Sequence, residues 1–154
     1  MQFGFSLAVA LFAYFFSGGA GVSSSSIWIP LFNVYLELGI LYIPFVVFVM
    51  IAFSNAVNLT DGLDGLASGI TALVAFFMVT AGLAFGFTGE VLFFGGIAGG
   101  CLGFLLYNRN PAKIFMGDTG SLFRGGIVCA MAFALDMPLI LVLVGFVYIV
   151  ETLS

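Results

Sequence analysis

Long apolar runs recur along the whole 154-residue chain, separated by short clusters of glycine, proline and polar residues. Runs of about 15–20 apolar residues are long enough to cross a bilayer as helices. The strands of an outer-membrane barrel would instead alternate apolar and polar residues, and residues 70–84 and 92–106 do not. Because 63% of the residues are hydrophobic and 6% are charged, a soluble globular domain is excluded too. The pattern predicts an all-α fold, a polytopic transmembrane helix bundle.

The apolar runs predict one integral-membrane domain that covers residues 1–154. The six predicted spans are 3–17, 40–57, 66–85, 91–107, 121–135 and 138–152. Residues 24–38 lie between the first two spans and alternate loosely around Asn33. This alternation predicts a short extracytoplasmic hairpin, with Trp28 and Tyr35 as anchors at the membrane interface.

The few charged residues divide between the two sides of the predicted bundle. One side has the acidic residues Glu37, Glu90 and Asp136, and the other has the basic residues Arg109, Lys113 and Arg124. Because basic residues are enriched on the cytoplasmic side of membrane proteins, the second side is predicted to be cytoplasmic. Three Lys/Arg residues form no basic patch, which excludes nucleic acid as a partner. The chain has no histidine, so carboxylates must carry any acid–base or metal chemistry within it.

Four polar side chains follow one another at intervals of three residues where the second predicted span ends. They are Asn55, Asn58, Asp61 and Asp64, and they predict a polar stripe along the end of the helix. Asp118 lies in the other loop of the predicted cytoplasmic side. Ionisable residues at a membrane edge are costly and usually functional. The alternative is that each aspartate is an ordinary helix cap in a solvated loop.

Local signals around these aspartates predict helix ends. Gly62 and Gly65 predict a break in the helix, with Asp64 as the N-cap of the next one. Thr119 or Ser121 is the predicted N-cap of the fifth span, just after Asp118. The first turn of that helix would then suit phosphate oxygens.

Carboxylates that gather at one membrane face favour a bound cation. Two of them within about 4–6 Å repel by roughly 1–4 kcal/mol, unless one is protonated or a cation bridges them. Oxygen ligands without His or Cys select Mg²⁺ or Mn²⁺, which complete their shells with water and substrate phosphate. Phe115 offers an aromatic face for a base. We therefore predict a site for a Mg²⁺-bound diphosphate substrate, with phosphoryl-group transfer as the reaction.

Two segments carry a resemblance to a known family. Asn55-Ala-Val-Asn-Leu-Thr-Asp-Gly-Leu-Asp-Gly-Leu-Ala67 and Pro111-Ala-Lys-Ile-Phe-Met-Gly-Asp-Thr-Gly-Ser121 resemble two signatures of the polyprenyl-phosphate N-acetylhexosamine-1-phosphate transferase superfamily. Within it, the segments are most similar to those of the bacterial phospho-N-acetylmuramoyl-pentapeptide transferases. The resemblance implies Mg²⁺-dependent transfer of phospho-MurNAc-pentapeptide from UDP-MurNAc-pentapeptide to undecaprenyl phosphate, which gives lipid I and UMP. It also implies the lipid bilayer of the bacterial plasma membrane as the environment, with a homodimer left open.

The resemblance also implies roles for individual residues. Asp118 would be the Mg²⁺ ligand, and Asp61, Asp64 and Asp118 would be the catalytic carboxylates. Phe115 would stack on the uracil. The implied substrate-binding residues are Asn55, Asn58, Asp61, Gly62, Leu63, Asp64, Asn108, Phe115 and Gly117.

The chain departs from the family pattern in two ways. It resembles only the fourth to ninth of ten family spans, and it lacks the upstream paired aspartates and the downstream histidine-rich loop. We therefore expect it to be a fragment that is inactive alone. Phe123 and Arg124 stand where the family usually has small or aliphatic residues, and Arg124 would either reach a phosphate or extend to the interface.

Two alternative functions remain open. One is a UDP-GlcNAc:polyprenyl-phosphate GlcNAc-1-phosphate transferase, because the choice of sugar depends partly on the loop that the chain lacks. The other is an inactive membrane scaffold or ion-binding bundle.

Overall fold

The computed structural model describes residues 2–16, 25–29, 32–135 and 137–153. This part of the chain contains six α-helices and one two-stranded hairpin. The elements in chain order are α1 Gln2–Phe16, β1 Ser26–Ile29, β2 Val34–Glu37, a short 3₁₀ helix Gly39–Leu41, α2 Tyr42–Thr60, α3 Leu66–Phe85, α4 Thr88–Asn108, α5 Gly117–Ala134 and α6 Ile140–Leu153. The predicted all-α membrane architecture is confirmed.

Helix length decides which elements can cross a bilayer unaided. Three segments are long and apolar enough in the described part of the chain, namely Gly39–Thr60, Leu66–Phe85 and Thr88–Asn108. The first helix is apolar but shorter, and α6 has 14 residues, or roughly 21 Å at about 1.5 Å per residue. Its length falls below the hydrocarbon core of about 30 Å. The six predicted helices are thus present, but length and composition support a full crossing for three.

Two helix boundaries differ from the prediction in a way that matters for the site. The second helix continues to Thr60 rather than ending at residue 57, so Asn58 lies on helical backbone. The fifth helix begins at Gly117 rather than at residue 121, which places Asp118 inside its first turn. Gly117 has a φ of +68°, which glycine adopts without a steric penalty. It is the first residue of α5, although the sequence placed it before the helix.

The predicted hairpin is confirmed at one end of the helices. Its strands pair antiparallel with Trp28 opposite Tyr35, and their rings stack at 6.4 Å. Trp28 Nε1 donates to Asn33 Oδ1 at 3.2 Å, and the Trp28 ring contacts Phe85 at 5.1 Å. Because Phe85 is the last residue of α3, the hairpin lies at the opposite end from the loop that begins α3.

The centre of the structure is the contact between α2 and α5. Helices in a membrane associate through close packing rather than through expulsion of water, which favours small residues at their contacts. Gly125 of α5 lies directly against the backbone of Phe53 and Ser54 in α2. Buried apolar side chains on both helices surround this contact, among them Met50, Val57 and Val128. The close approach fixes the ends of α2 and α5 relative to each other.

Candidate functional site

The turn between α2 and α3 begins at Asp61 and ends at Gly65. Gly65 has a φ of +78°, and a Cβ there would lie 3.1 Å from Leu105 Cδ1 and 3.3 Å from Arg109 Cα. Only glycine fits such a position without strain. Gly65 also occupies the N-cap position of α3, so the prediction of Asp64 as that cap is wrong. The turn is therefore packed against the end of α4.

Side chains from α2 and α5 meet beside this turn. Asn58 Nδ2 donates to Ser121 Oγ at 2.7 Å and lies 3.3 Å from Asp118 Oδ1. Ser121 Oγ lies within hydrogen-bond distance of the carbonyl oxygens of Gly117 and Asp118, at 3.2 and 3.1 Å. Neither Thr119 nor Ser121 is the N-cap, which is Met116 and makes no side-chain capping bond. Asn58 thus joins the two predicted signature segments directly.

A cavity of about 370 Å³ opens at this junction. Its lining consists of Asn58, Leu59, Asp61, Gly62, Phe115, Gly117, Asp118 and Ser121. We call it the carboxylate pocket. The Phe115 ring is 74% exposed, so its face is free to receive another ring. The pocket contains six of the residues proposed from the sequence.

The remaining four proposed residues lie outside the lining of the carboxylate pocket. Asp64 Oδ2 accepts a hydrogen bond from the backbone N–H of Ala112 at 3.0 Å. Asn55 Nδ2 donates to Ile51 O at 2.7 Å and to Gln2 Oε1 at 3.4 Å. Leu63 is exposed, and the fourth residue, Asn108, is buried behind the turn. Three of the four, Asp64, Asn55 and Asn108, therefore make side-chain hydrogen bonds around the pocket.

Asn108 is the main brace of the two loops. Its Oδ1 accepts from the Gly65 N–H at 3.2 Å and from Ser68 Oγ at 2.9 Å. Its Nδ2 donates to Ile114 O at 2.9 Å, next to Phe115. Since a buried polar group without a partner is costly, this one amide stabilises both the α2–α3 turn and the α4–α5 loop.

The two carboxylates of the pocket differ in their surroundings. Burial raises the pKa of Asp61, the positive charge of Arg124 opposes this rise, and the negative charge of Asp118 adds to it. Asp118 is exposed in the first turn of α5. A neighbouring carboxylate that raises the pKa of Asp61 in this way favours the binding of a cation.

The donors of the carboxylate pocket fit magnesium. Among the described residues, no group of three His, Cys, Asp or Glu side chains could hold a metal ion by itself. Mg²⁺ usually takes only one or two carboxylates and completes its shell with water and substrate phosphates. Asp61 and Asp118 provide such a partial set of hard oxygen donors. The pocket can therefore hold a cation together with a phosphorylated ligand.

Ser121 contributes to the pocket although the sequence did not identify it as a site residue, and burial rules out one of the two alternatives left open for Arg124. Ser121 had been considered only as a cap, although it follows Asp118 by three residues and therefore lies on the same face of a helix. Arg124 is 4% exposed and donates to Ser68 Oγ at 2.7 Å, so it does not extend to the membrane interface. Its burial depends on the packing of three helices, which no local pattern reports.

Comparison of the sequence with known proteins identifies a family and several relatives. The model of the family described as "Glycosyl transferase family 4" matches residues 1–136. A phospho-N-acetylmuramoyl-pentapeptide-transferase of Acetivibrio thermocellus is 49% identical over 156 residues, which is 99% of this chain and 46% of that protein. One from Clostridium botulinum strain Eklund 17B is 49% identical over 97% of this chain and 44% of its own length. One from Staphylococcus carnosus is 44% identical over 85% of this chain and 41% of its own length.

The match therefore extends over nearly all of this chain, while the chain spans less than half the length of these relatives. Both signature segments and the helices that position them fall within the matched residues. The chain belongs to glycosyl transferase family 4.

Proposed function

We propose that the protein containing this chain transfers phospho-MurNAc-pentapeptide from UDP-MurNAc-pentapeptide to undecaprenyl phosphate, which gives lipid I and releases UMP. This is the first membrane step of peptidoglycan synthesis. The observation that carries the proposal is the contact of Asn58 with Ser121 and Asp118, which unites the two signature segments in one pocket. The name that the relatives share supports the choice of substrates.

Each residue of the pocket has a proposed task. Asp118 would hold Mg²⁺ with the help of Asp61, and Asn58 fixes Asp118 through its amide. Bound Mg²⁺ would supply neutralisation of the charge on the diphosphate. Phe115 would stack on the uracil, with Gly62 leaving room for the close approach of the ligand.

The residues around the pocket would act by holding it. Asp64 binds the backbone of the α4–α5 loop, and Asn108 binds both loops. Both would therefore orient the segment that carries Phe115. Leu63 is proposed to lie beside the uracil, and Asn55 to support the pocket from α2, although neither residue lines the pocket. These roles predict losses in substrate affinity rather than in metal chemistry when the bracing residues are changed.

The proposed location is the bacterial plasma membrane, with the carboxylate pocket on the cytoplasmic side. Arg109 and Lys113 are in the loop at the same end as the pocket, whereas Glu37 and Glu90 lie toward the hairpin end. Since basic residues mark the cytoplasmic side, the charges favour this orientation.

The test is a transfer assay on the complete gene product in detergent, with UDP-MurNAc-pentapeptide, undecaprenyl phosphate and Mg²⁺. Asp118→Asn is expected to lower the rate at least about 100-fold, the scale of losing one preorganised electrostatic contact. Glu90→Gln, at the opposite end, serves as the matched control and should keep the wild-type rate. Full activity of Asp118→Asn would refute the proposal. The 154 residues alone are expected to show no turnover.

A UDP-GlcNAc donor is the main alternative. Both donors present the same uridine diphosphate to the carboxylate pocket, so the described residues favour neither sugar. The same assay with the two donors in competition discriminates them. If UMP were released only from UDP-GlcNAc, the proposed donor would change to UDP-GlcNAc, and the proposed site would stay the same.

A further inference from the structure

Arg124 begins a chain of buried hydrogen bonds that connects three helices. Its side chain is 4% exposed, and its Nη1 donates to Ser68 Oγ of α3 at 2.7 Å. Ser68 Oγ in turn donates to Asn108 Oδ1, at the end of α4, at 2.9 Å. Asn108 Nδ2 donates to the carbonyl oxygen of Ile114 at 2.9 Å, one residue before Phe115. We call this chain of bonds the Arg124 relay.

The chemistry of arginine fixes the direction of these bonds. A guanidinium can only donate, so the Ser68 hydroxyl must accept from it and keeps its own hydrogen for Asn108. The Asn108 amide must then present Oδ1 to Ser68, which leaves Nδ2 directed at the Ile114 carbonyl. The Gly65 N–H donates to the same Oδ1 at 3.2 Å and favours the same orientation. One cation on α5 therefore helps to orient the amide that holds the loop before α5.

Phe115 depends on its backbone for its position. Its ring is 74% exposed and lines the carboxylate pocket, so packing does little to hold it. The bond from Asn108 to the preceding carbonyl fixes the backbone directly before the ring. A group that stacks on a ligand binds best when it is held in place before the ligand arrives. The Arg124 relay thus ends at the residue that is proposed to receive the base.

Stability alone does not explain a buried arginine at this position. Its Nη2 is buried and has no hydrogen-bond partner among the described residues. Its charge lies 4.8 Å from the centre of the Phe104 ring and interacts electrostatically with Asp61 of the carboxylate pocket. Burying a charge is costly, and an apolar side chain in its place is often as stable or more so. Ile97 and Ile127 already line the space beside Arg124, so a leucine would fit there.

We propose that Arg124 is a positioning residue, which holds Phe115 in place for a nucleobase through Ser68 and Asn108. The inference rests on the proposed stacking of uracil on Phe115, and it adds a residue that does not line the carboxylate pocket itself. With leucine at position 124, the Ser68 hydroxyl is free to turn toward a carbonyl of its own helix, as serine often does. Asn108 Oδ1 then loses one of its two donors, and Phe115 is held less firmly in the stacking position.

The test compares two ligands that differ in the uridine, namely UDP and inorganic pyrophosphate, each with Mg²⁺. Their binding to the complete gene product in detergent is measured by calorimetry, and unfolding temperatures are measured without ligand. Arg124→Leu should weaken UDP binding roughly two- to tenfold, the scale of one aromatic stacking contact. It should neither weaken pyrophosphate binding nor lower the unfolding temperature. Equal weakening of both ligands, or unchanged UDP binding, would overturn the proposal.

Two further variants separate positioning from a change of charge. Ser68→Ala breaks the Arg124 relay but keeps the cation, and it should weaken UDP binding as selectively as Arg124→Leu does. It also keeps the test decisive if Arg124→Leu fails to fold. A double variant that combines Arg124→Leu with Phe115→Leu should bind UDP no worse than Phe115→Leu alone, because both changes act on the same contact. Losses that add would overturn the route through Phe115.

Arg109→Leu is the control for a general effect of charge. It removes an exposed positive charge beside the α4–α5 loop, and it should leave the preference for UDP over pyrophosphate unchanged. A selective loss of UDP binding in this control would overturn the proposal. Equal UDP binding in the wild type and in every variant of the Arg124 relay would refute this inference alone. A wild-type protein that binds no UDP would refute the proposed function as well.

Discussion

Gly125 offers the sharpest test of how the fold positions the site. A Cβ at this position would collide with Cα of Ser54 and lie 3.1 Å from Phe53 O, whereas ordinary contacts are about 3.5–4.0 Å. Both contacts are to backbone atoms, so a change of side-chain rotamer cannot relieve the collision. In Gly125→Ala, α2 and α5 must therefore separate by roughly one ångström to reach ordinary contact distances.

The cost of Gly125→Ala follows from this collision. Overpacking of a close contact costs about 1–3 kcal/mol. For a chain of this length, 1 kcal/mol corresponds to roughly 2–4 °C in unfolding temperature, so the expected loss is about 2–12 °C. The same separation would stretch the 2.7 Å bond from Asn58 to Ser121, so binding of UDP-sugar in the carboxylate pocket should weaken as well.

The measurement is thermal unfolding in detergent, together with Mg²⁺-dependent binding of UDP-MurNAc-pentapeptide. Gly126→Ala is the matched control, because it is the next residue of the same helix and its added Cβ meets nothing within 4 Å. The control gains helix propensity, worth about 0.5–1 kcal/mol, and should be neutral or slightly stabilised. Equal unfolding temperatures for the two variants would refute the close helix contact.

Two further predictions concern the loops. Because burial raises the pKa of Asp61, the folded protein keeps a proton that the unfolded chain has lost, and stability falls as pH rises from the ordinary aspartate pKa through the raised one. Without Mg²⁺, Asp61→Asn should therefore gain unfolding temperature relative to wild type across that pH window, and identical pH profiles would contradict the burial. Asn108→Leu leaves the Gly65 N–H and the Ile114 carbonyl without this partner, at about 1–3 kcal/mol each, and removes one of the two bonds of the Ser68 hydroxyl. It should therefore speed hydrogen exchange in both loops. Unchanged exchange in the α4–α5 loop would show that Asn108 does not brace it.

The sequence predicted the features that depend on composition and spacing. Apolar runs of membrane length predicted the six helices, and loose alternation around Asn33 predicted the hairpin. The order of the loops placed Asp61 and Asp118 at one end of the bundle, and the described structure brings both into one pocket. Counting loops sufficed here, because successive helices must reverse direction.

What the sequence did not predict depends on contacts between helices. The bond of Asp64 to Ala112 joins residues 48 positions apart, and no local pattern specifies it. The burial of Arg124 requires α3 and α4 to cover it, which a single basic residue in an apolar run does not indicate. Gly117 was interpreted as a residue before the helix, but its positive φ lets it begin the helix, so Asp118 lies a turn deeper than expected.

The most direct test of whether Asp61 and Asp118 hold one ion together is electron paramagnetic resonance of bound Mn²⁺. Mn²⁺ replaces Mg²⁺ in this experiment, and UDP-MurNAc-pentapeptide is present. We expect one Mn²⁺ per chain, with binding strongly weakened in Asp61→Asn and in Asp118→Asn. We also expect the double variant to lose little more than either single one, because both residues act on a shared site. Two independent ions, or unaltered Mn²⁺ binding in Asp118→Asn, would contradict a shared site.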